Sequence, residues 1–513
     1  MTLSATNRVL VNTIAQYFKT IINIVLSFYS TRLILEILGV SDFGIYSLIA
    51  GVVTMLSFIT NALIVTTQRF MSYHHGMQKK ESLKKIFNDS IILHIILGFG
   101  IFIILEICSL FIFDGFLSIP IERISAAKFV YHFVALTLFF TFITAPYKAL
   151  LVSNENIVYI SVIDIIDSIL KLLVAISLFY INFDGLILYA LSLLLITIFN
   201  FFVLSIYSYK KYEECIIPSF SLFNLSNVRE MFSFAIWNIY CTGCVVFRTQ
   251  GIAIVLNKIF GPSINSAYGI SFTISNAIQF VGTSLCNAMN PQIMKAEGSG
   301  DRKRMLRLAE IESKFGFLLI AMIAIPCIYE MEYLLALWLE EVPEYACFFS
   351  RMILLAAMFD QLTVGLGSAN QAIGNIKKYS LCIFTIKLLA LPASIFCVIL
   401  GYKVESVMFM YVLFEFISSL VRIPFLSKTG NLDVIGFIKR VLFKVVIPVI
   451  LLVAVCNVIL CFCEWNYRVL LMFTIPCFIF IMACYFFALC KDEKNIIKGI
   501  INKLIYRYND SKN

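Results

Sequence analysis

Charged residues are scarce in this chain of 513 residues, at 14% of the sequence, and three tryptophans stand against 48 phenylalanines. Soluble domains are about 25% charged, because charged side chains cover the surface that meets water. A hydrophobic content of 60% and a mean hydropathy of +0.92 therefore exclude an ordinary soluble protein. The composition predicts an all-α integral membrane protein.

Features of several other protein classes are also missing from the sequence. There is no GxxxxGK[ST] phosphate loop, so ATP is not expected to drive the protein directly. No small-residue cleavage site follows the first apolar segment, which is expected to stay as an anchor. The 15 cysteines lie mostly in apolar runs and predict no disulfide framework. No catalytic triad or metal-ligand spacing indicates an enzyme or a metal site.

The chain is instead a series of apolar segments, each long enough to cross a bilayer, which takes about 20 residues. Short loops separate them and leave no room for a soluble domain. The predicted spans, fourteen in number, are about 11–35, 44–67, 90–113, 125–150, 158–181, 186–208, 231–256, 265–290, 313–338, 346–371, 379–400, 405–427, 445–463 and 468–490.

Lysine and arginine follow an alternating pattern along these loops. Clusters occur in every second loop and in the tail, whereas the opposite loops hold only Arg123, Lys258, Lys403 and Arg468. Basic loops stay in the cytoplasm, so both termini are predicted to be cytoplasmic. The net charge of +9 is thus a topology signal, and no nucleic-acid partner is expected.

An internal repeat is visible when the chain is shifted along itself so that Gly39 falls on Gly261. This displacement, which we call the repeat shift, also superposes Ser41 on Ser263, Tyr46 on Tyr268 and Gly76 on Gly298. Chance matching among apolar helices is the alternative explanation. The repeat predicts a six-helix lobe over 1–212, a second over 213–428, two additional transmembrane helices over 429–490 and a basic cytoplasmic tail over 491–513.

Polar side chains concentrate on the first two spans and on their repeats, the seventh and eighth. One helical face of the first span carries Asn12, Gln16, Lys19, Asn23 and Ser27. Further candidates are Asn61, Asn238, Arg248 and Gln279. A cation at mid-bilayer normally faces a wet cavity or a partner, so these spans are predicted to line a central cavity between the two bundles. Helix packing through small and polar residues is the alternative.

Other charged residues also lie within spans. Asp164, Asp167 and Lys171 share one face of the fifth span, where they form either a neutralising ion pair or a site for a coupling cation or proton. Further deep carboxylates are Asp360 and Glu415. Arg422 stands within two turns of a span end, so its head group is expected to reach the membrane interface.

Three stretches carry a resemblance to a known family. They are LGVSDFGIYSLIA over 38–50, NPQIMKAEGSGD over 290–301 and LWLEEVPEY over 337–345. They resemble the polysaccharide transporters, the O-antigen flippase (Wzx-type) family of the MOP exporter superfamily. Usual members have glycine where Glu340 stands. The likeness covers nearly the whole chain in length, span count and repeat, but it says little about the substrate.

The resemblance implies a MATE/MOP-like, two-lobed, V-shaped helix bundle that works by alternating access. Such proteins move undecaprenyl-pyrophosphate-linked oligosaccharides across the bacterial inner membrane for O-antigen, capsule or exopolysaccharide synthesis. Their cationic cavity has basic residues on the first and seventh helices. Lys19 and Arg248 match that placement, and Arg32 matches it less closely, so these three are expected to bind the pyrophosphate. The polyprenyl tail can remain in lipid.

Sugar contacts are then expected from the amides Asn23, Asn61, Asn238 and Gln279. Asp164 and Asp167 are weaker candidates for coupling to Na+, H+ or the membrane potential, and no cofactor is expected. Expected partners are the lipid-linked substrate, membrane lipid, and a polysaccharide polymerase with its chain-length machinery.

Two other functions are alternatives to a flippase. A cation-coupled multidrug antiporter of the related superfamily branch would favour an acidic cavity. A membrane-embedded glycosyltransferase or polysaccharide polymerase would need a sizeable outer loop with catalytic residues. The sequence does not identify the sugars, the polymer, the coupling ion or the oligomeric state.

Overall fold

A computed structural model describes residues 5–54, 56–111, 120–181, 183–339, 342–462, 465–490 and 492–494. Every regular element in these ranges is a helix, which confirms the all-α membrane fold predicted from composition. The predicted tail over 491–513 lies outside the described residues except for 492–494. Glu340 and the side chain of Arg32 also lie outside them.

The N-terminal half forms six helices, which match the first six predicted spans in order. They are α1 (Ala5–Thr54), α2 (Ser57–Gly76), α3 (Lys80–Phe111), α4 (Ile124–Ser153), α5 (Ile157–Ser177) and α6 (Gly185–Lys211). The start of α6 is fixed by Asp184, whose carboxylate accepts hydrogen bonds from the backbone N–H groups of Leu186 and Ile187 at 3.1 and 3.3 Å. This side chain satisfies two of the donors that a helix start leaves free.

The rest of the described chain forms eleven α-helices, two of which are short. They are α7 (Leu225–Phe260), α8 (Pro262–Gly298), α9 (Arg302–Tyr329), α10 (Met331–Trp338), α11 (Ala346–Gln361), α12 (Val364–Ile373), α13 (Ile376–Ile399), α14 (Glu405–Gly430), α15 (Val434–Phe437), α16 (Phe443–Phe462) and α17 (Trp465–Ala483). Among the described residues, nine helices are long and apolar enough to cross a membrane, or ten with the bent pair α11 and α12. The protein is therefore a multi-pass membrane protein.

Each predicted span overlaps a helix, but some spans are not continuous. The second, predicted over 44–67, is interrupted where α1 ends at Thr54 and α2 begins at Ser57. The tenth, predicted over 346–371, is bent by 43° between α11 and α12. Thr363, at this bend, has a φ of −131°, which interrupts the helical hydrogen-bond ladder. Hydropathy alone does not detect such a break, because it measures the apolar content of a span and not its backbone angles.

Two glycines occupy the turns that the repeat predicts to be equivalent. Gly39 divides α1 with a φ of +70°, and Gly261 separates α7 from α8 with a φ of +94°. Both values lie in the left-handed region, which side chains other than glycine rarely adopt. The same local geometry therefore recurs at the two positions that the repeat shift superposes, as the repeat predicts.

The described chain divides into two compact units. The N-terminal unit contains Arg8–Ile239 and Met294–Gly300, and the C-terminal unit contains Tyr240–Ile293 and the residues from Asp301 onward, with those before Arg8. Each has its own apolar core, with Phe142 and Tyr131 buried in the first and Phe349 in the second. The lobe boundaries at 212 and 428 stay a prediction.

Within the N-terminal unit, the end of α2 crosses the end of α8 at two glycines. A Cβ atom at Gly76 would lie 2.1 Å from the carbonyl oxygen of Lys295, and one at Gly298 would lie 2.0 Å from that of Tyr73. Close by, Lys295 pairs with the buried carboxylate of Glu155 at 2.5 Å. Only glycine permits two backbones to approach this closely. We call this contact the glycine crossing.

Candidate functional site

The C-terminal unit encloses a cavity of about 420 Å³. Side chains from six helices, α7, α8, α11, α12, α13 and α14, form its walls. Its polar lining residues include Thr249, Asn276, Gln279, Asn290, Ser368 and Gln371. The site therefore brings together chain segments that are far apart in sequence. The apolar runs predicted each of these helices, but not that they meet at one cavity.

Five charged side chains on the cavity wall form one connected network, which we call the charge cluster. Its members are Arg248 on α7, Asp360 on α11, Lys387 on α13, and Glu415 and Arg422 on α14. The last two are seven residues apart, which places them on one face of α14. Tertiary packing brings the other three helices to that face.

Lys387 is the central member of the charge cluster. Its Nζ lies 2.6 Å from Asp360 Oδ1 and also contacts Glu415. Each carboxylate has in addition its own arginine: Arg248 pairs with Glu415, and Arg422 Nη2 lies 2.7 Å from Asp360 Oδ1. The lysine therefore shares both carboxylates with the two arginines.

The charge cluster is almost entirely removed from solvent. The exposed fraction is 3% for Arg248, 4% for Glu415 and Arg422 and 5% for Lys387, whereas the side chain of Asp360 is 29% exposed. Burial of an ion is costly, and close pairing offsets that cost. Three cations and two carboxylates give a net charge of 3 − 2 = +1. The cavity wall thus carries an excess of positive charge.

The two arginines keep unused hydrogen-bonding capacity. The Nε atoms of Arg248 and Arg422 are buried and have no hydrogen-bond partner among the described residues. Arg248 Nη2 donates to the Tyr411 hydroxyl at 3.0 Å, and its guanidinium stacks 4.3 Å from the centre of that ring. A buried donor without an acceptor is costly, so an anion that entered the cavity could relieve this cost.

The expectation that Arg422 reaches the membrane interface is wrong. Its guanidinium is held inside the bundle by Asp360, by both the carboxylate and the backbone oxygen, the latter at 3.0 Å. Asp360 and Glu415 were recognisable as deep carboxylates, but their arginine partners lie 62 and 167 residues away. The spacing of seven between Glu415 and Arg422 was the one local signal of a shared site.

The N-terminal unit contains a second group of ion pairs. Lys19 on α1 lies 2.9 Å from Asp164 on α5, and Lys148 on α4 lies 3.8 Å from the same carboxylate. Asp167 pairs instead with Lys171 at 2.7 Å and accepts a hydrogen bond from Asn200. The three charges of α5 therefore form two separate pairs, and Lys148 is a member that the sequence reasoning missed.

The remaining predicted site residues have different surroundings. Gln279 lines the cavity and donates to the Ser275 hydroxyl at 2.7 Å. In the N-terminal unit, Asn238 is buried and donates to Thr66 at 3.3 Å, and Asn61 is exposed. Asn23 has a buried Oδ1 with no hydrogen-bond partner in the described part of the chain. Arg248 and Gln279 are thus brought to one cavity.

A second polar cavity, of about 570 Å³, lies at the ends of α2, α3 and α6. Its lining includes Glu214, which follows α6 and lies 3.3 Å from His75 Nε2, while Asn154 donates to it at 2.9 Å. Burial alone would raise the pKa of Glu214, but the contacts with His75 and Asn154 prevail and lower this pKa to about 2. The carboxylate is therefore held ionised by its neighbours.

No group of three or more histidine, cysteine, aspartate or glutamate side chains suited to a metal ion occurs in the described ranges. The polar and charged side chains of the cavity are suited to ion pairing and hydrogen bonding.

Solved structures of membrane transporters share the fold. An outward-facing multidrug resistance MATE family transporter of the MOP superfamily has a TM-score of 0.68 at 13% identity, with 85% of this chain and 97% of that chain covered. The MATE transporter ClbM in complex with Rb+ gives 0.69 at 15% identity, with coverage of 83% and 97%. At such identities the likeness shows the fold alone, and it confirms the MATE/MOP-like architecture.

A third similar structure is a MOP superfamily transporter from Pyrococcus furiosus, for which a reversed polarity of the binding pocket is described. Its TM-score is 0.66 at 14% identity, and the match covers 84% of this chain and 96% of that chain. No curated protein matches the chain.

The sequence model of the family described as "Polysaccharide biosynthesis protein" matches residues 5–297, which is more than half of the chain. The match includes the first of the three stretches that carried the resemblance and all of α1 to α7. The protein is therefore a multi-pass membrane protein that belongs to the polysaccharide biosynthesis protein family.

Proposed function

We propose that this transporter moves undecaprenyl-pyrophosphate-linked oligosaccharide repeat units from the cytoplasmic to the periplasmic leaflet of the bacterial inner membrane by alternating access. The product would serve the synthesis of O-antigen, capsule or exopolysaccharide. The observation that carries the proposal is the charge cluster, a buried network with a net charge of 3 − 2 = +1 on the wall of a polar cavity. A diphosphate is the substrate group that such a network favours.

The pairing within the charge cluster permits an exchange of partners. Arginine binds phosphate oxygens through two parallel hydrogen bonds, as it does carboxylates. When a diphosphate takes Arg248 and Arg422, Lys387 still pairs with both Asp360 and Glu415, because it already contacts the two carboxylates. No carboxylate is then left buried without a cation, which would cost several kcal/mol.

Other parts of the proposal concern the N-terminal unit. Lys19 is proposed as a further phosphate ligand, which leaves Asp164 for Lys148 when the substrate binds. Arg32 keeps the same proposed role. Sugar contacts are proposed for Asn23, Asn61, Asn238 and Gln279, since amides can donate to and accept from sugar hydroxyls. Asp164 and Asp167 remain candidates for coupling.

A cation-coupled multidrug antiporter is the second candidate. The carboxylates Asp360 and Glu415 in the cavity wall are the observation in its favour, because they could attract a cationic drug. Both are already neutralised by Lys387 and by their arginines, however. The excess positive charge therefore favours an anionic substrate over a cationic one.

Orientation and partners complete the proposal. The alternating basic loops support the proposal that both termini are cytoplasmic, and the inner membrane of the cell is the proposed bilayer. A polysaccharide polymerase with its chain-length machinery would take over the transported unit in the periplasm. Membrane lipid would accommodate the polyprenyl tail.

The test separates substrate binding from ion pairing. Arg248→Gln removes a cation, and Arg248→Gln combined with Glu415→Gln removes the whole pair and keeps the net charge of the charge cluster. In cells without the native protein, lipid-linked repeat units are expected to accumulate on the inner leaflet with both variants. Transport should fall at least about tenfold, since a charge-assisted hydrogen bond contributes about 1.5–3 kcal/mol.

The paired variant decides between the two roles of Arg248. If the arginine served only to neutralise Glu415, removal of both charges would restore transport to the native level. Recovery of export in the double variant would therefore contradict the proposed phosphate contact. Glu332→Gln, at an exposed carboxylate of the same unit, is the control and should transport normally.

A further inference from the structure

A buried carboxyl group behind the cavity wall has no role in the mechanism described so far. Glu312 on α9 is fully buried, with an exposed fraction of 0%. Ser368 Oγ on α12 donates a hydrogen bond to its Oε1 at 3.1 Å. The other oxygen, Oε2, is buried and has no hydrogen-bond partner among the described residues. An ionised carboxylate in this position would lack most of the contacts that it needs.

The groups that face Glu312 are neutral. The Cys286 thiol on α8 and the Ser368 hydroxyl on α12 lie beside its carboxyl group. Gln361 on α11 donates to Cys286 Sγ at 3.8 Å and fills the same corner. In the described ranges, no lysine or arginine lies within ion-pair distance of Glu312.

The charged groups nearest along the packed helices are engaged elsewhere. On α9 itself, Glu310 pairs with Arg440, and Lys314 pairs with Glu493 at 2.5 Å. On α11, Asp360 is held by the charge cluster. Burial without a counter-ion strongly disfavours the charged form of a carboxyl group. The surroundings of Glu312 therefore favour its protonated form.

A route connects this carboxyl group to the cavity. Ser368 and Cys286 both line the cavity while they contact Glu312 from behind. A volume of about 420 Å³ can hold several water molecules. A proton can then move from cavity water to Ser368 Oγ as the serine passes its own proton to Glu312 Oε1. The reverse step returns it, and no other reactant is required.

We propose that Glu312 is a proton-binding site, reached from the cavity through the Ser368 hydroxyl, whose occupancy raises the affinity of the cavity for anions. The charge cluster contributes +1, so the region carries +1 when Glu312 is protonated and 1 − 1 = 0 when it is ionised. An anion and a proton therefore favour each other's binding, and this coupling is reciprocal. The effect of this proton on the affinity for anions rests on the proposed function.

The first experiment tests the proton site without any ligand. Infrared difference spectra of the purified full-length protein, recorded between pH 5 and pH 9, report the carbonyl stretch of protonated carboxyl groups. Native protein should show a band that is absent from Glu312→Gln. In Ser368→Ala the band should remain but exchange with deuterium more slowly. Identical bands in native protein and Glu312→Gln would overturn the proton site.

The second experiment tests the effect on anions with inorganic diphosphate as the probe. Its Kd is measured by calorimetry at several pH values for native protein, Glu312→Gln and the control Glu332→Gln. The titration of diphosphate itself is common to all three, so the difference between proteins isolates Glu312. As the pH rises, the Kd for diphosphate should increase further in native protein and in the control than in Glu312→Gln. The additional increase should be about fivefold or more.

The outcomes separate this inference from the proposed function. Equal pH dependence in all three proteins would overturn the effect on anions and leave anion binding itself intact. Absence of diphosphate binding at every pH would contradict both the anion effect and the proposed phosphate site. The infrared band would still decide whether Glu312 binds a proton.

Discussion

At the scale of single residues, Lys387 shows how several buried charges stabilise one another. It contacts both carboxylates of the charge cluster, each of which also has an arginine. Removal of the lysine therefore leaves no buried carboxylate without a partner. It does remove the cation that would hold both carboxylates once the arginines bind a substrate.

Lys387→Met is accordingly expected to preserve the fold and to impair transport. The protein should insert at the native level, with a Tm in detergent within a few degrees of the native value. Transport should fall about tenfold or more, because the net charge of the charge cluster drops from +1 to 0. The control is Lys378→Met at an exposed position of the same helix. Equal transport in the two variants would contradict the proposed exchange of partners.

Glu214 predicts a pH dependence of stability outside the membrane-spanning helices. Its pKa is lowered from 4.5 to about 2 in the folded protein, so its ionised form favours folding. That contribution is complete above about pH 4.5 and disappears as the pH falls towards 2. Glu214→Gln should therefore lower the Tm at pH 7 and have little effect near pH 2.5.

The neighbouring Glu213 supplies the matched control for this prediction. Its side chain is 76% exposed and pairs with the exposed Lys80 at 3.0 Å. Exposed ion pairs contribute about 0–1 kcal/mol, so Glu213→Gln should leave the Tm nearly unchanged. Equal losses of Tm in the two variants at pH 7 would contradict the role given to Glu214.

The sequence identified single site residues better than their partners. Arg248 and Lys19 stood out because a cation within an apolar segment needs a reason. Their partners Glu415 and Asp164 lie on helices far along the chain. Local periodicity defines the polar face of a helix, but it does not say which other helix meets that face.

At the scale of helices, the apolar runs predicted the order of the spans, and backbone geometry set their interruptions. Gly39 and Gly261 lie in the turns between the first two and between the seventh and eighth predicted spans, which the repeat shift superposes. The bend at Thr363 was missed, since the hydropathy of a span does not report its backbone geometry. Its position depends on packing of α12, where Thr363 Oγ1 bonds to Ser419 on α14 at 2.8 Å.

The glycine crossing predicts that alanine lowers the Tm at its two glycines but not at a glycine elsewhere. Gly76→Ala or Gly298→Ala would force a methyl group against a backbone carbonyl at about 2 Å and push the helix ends apart. Such overpacking costs about 1–3 kcal/mol, so each variant should show a lower Tm. Gly100→Ala on α3, with nothing within 4 Å, should keep or raise the Tm. A neutral result at Gly76 and Gly298 would contradict the close approach.

At the scale of the whole molecule, the two units carry similar groups of charges on repeat-related helices. Lys19, Lys148 and Lys171 oppose Asp164 and Asp167, which again gives 3 − 2 = +1. Asn200 on α6, which bonds to Asp167, falls on Arg422 of α14 under the repeat shift. Each half thus places a small cationic excess among its first, fourth, fifth and sixth helices.

The alternating loops predict the orientation of the whole chain. Gly300 follows α8 in a loop rich in basic residues, and Gly401 lies in the sparse loop after α13. Alkaline phosphatase, which is active only outside the cytoplasm, should therefore be inactive when fused after Gly300 and active after Gly401. The opposite pattern of activity would contradict the proposed cytoplasmic termini.

The glycine crossing also bears on how such a chain could have arisen. Tyr73 and Gly76 fall on Lys295 and Gly298 under the repeat shift, so the crossing joins a segment to its own copy. Two molecules of a half-length ancestor would have made both contacts with one glycine, as a symmetric dimer does. After gene duplication, each glycine is constrained by a carbonyl in the other copy. A larger residue at either glycine would then require a compensating change in the other half.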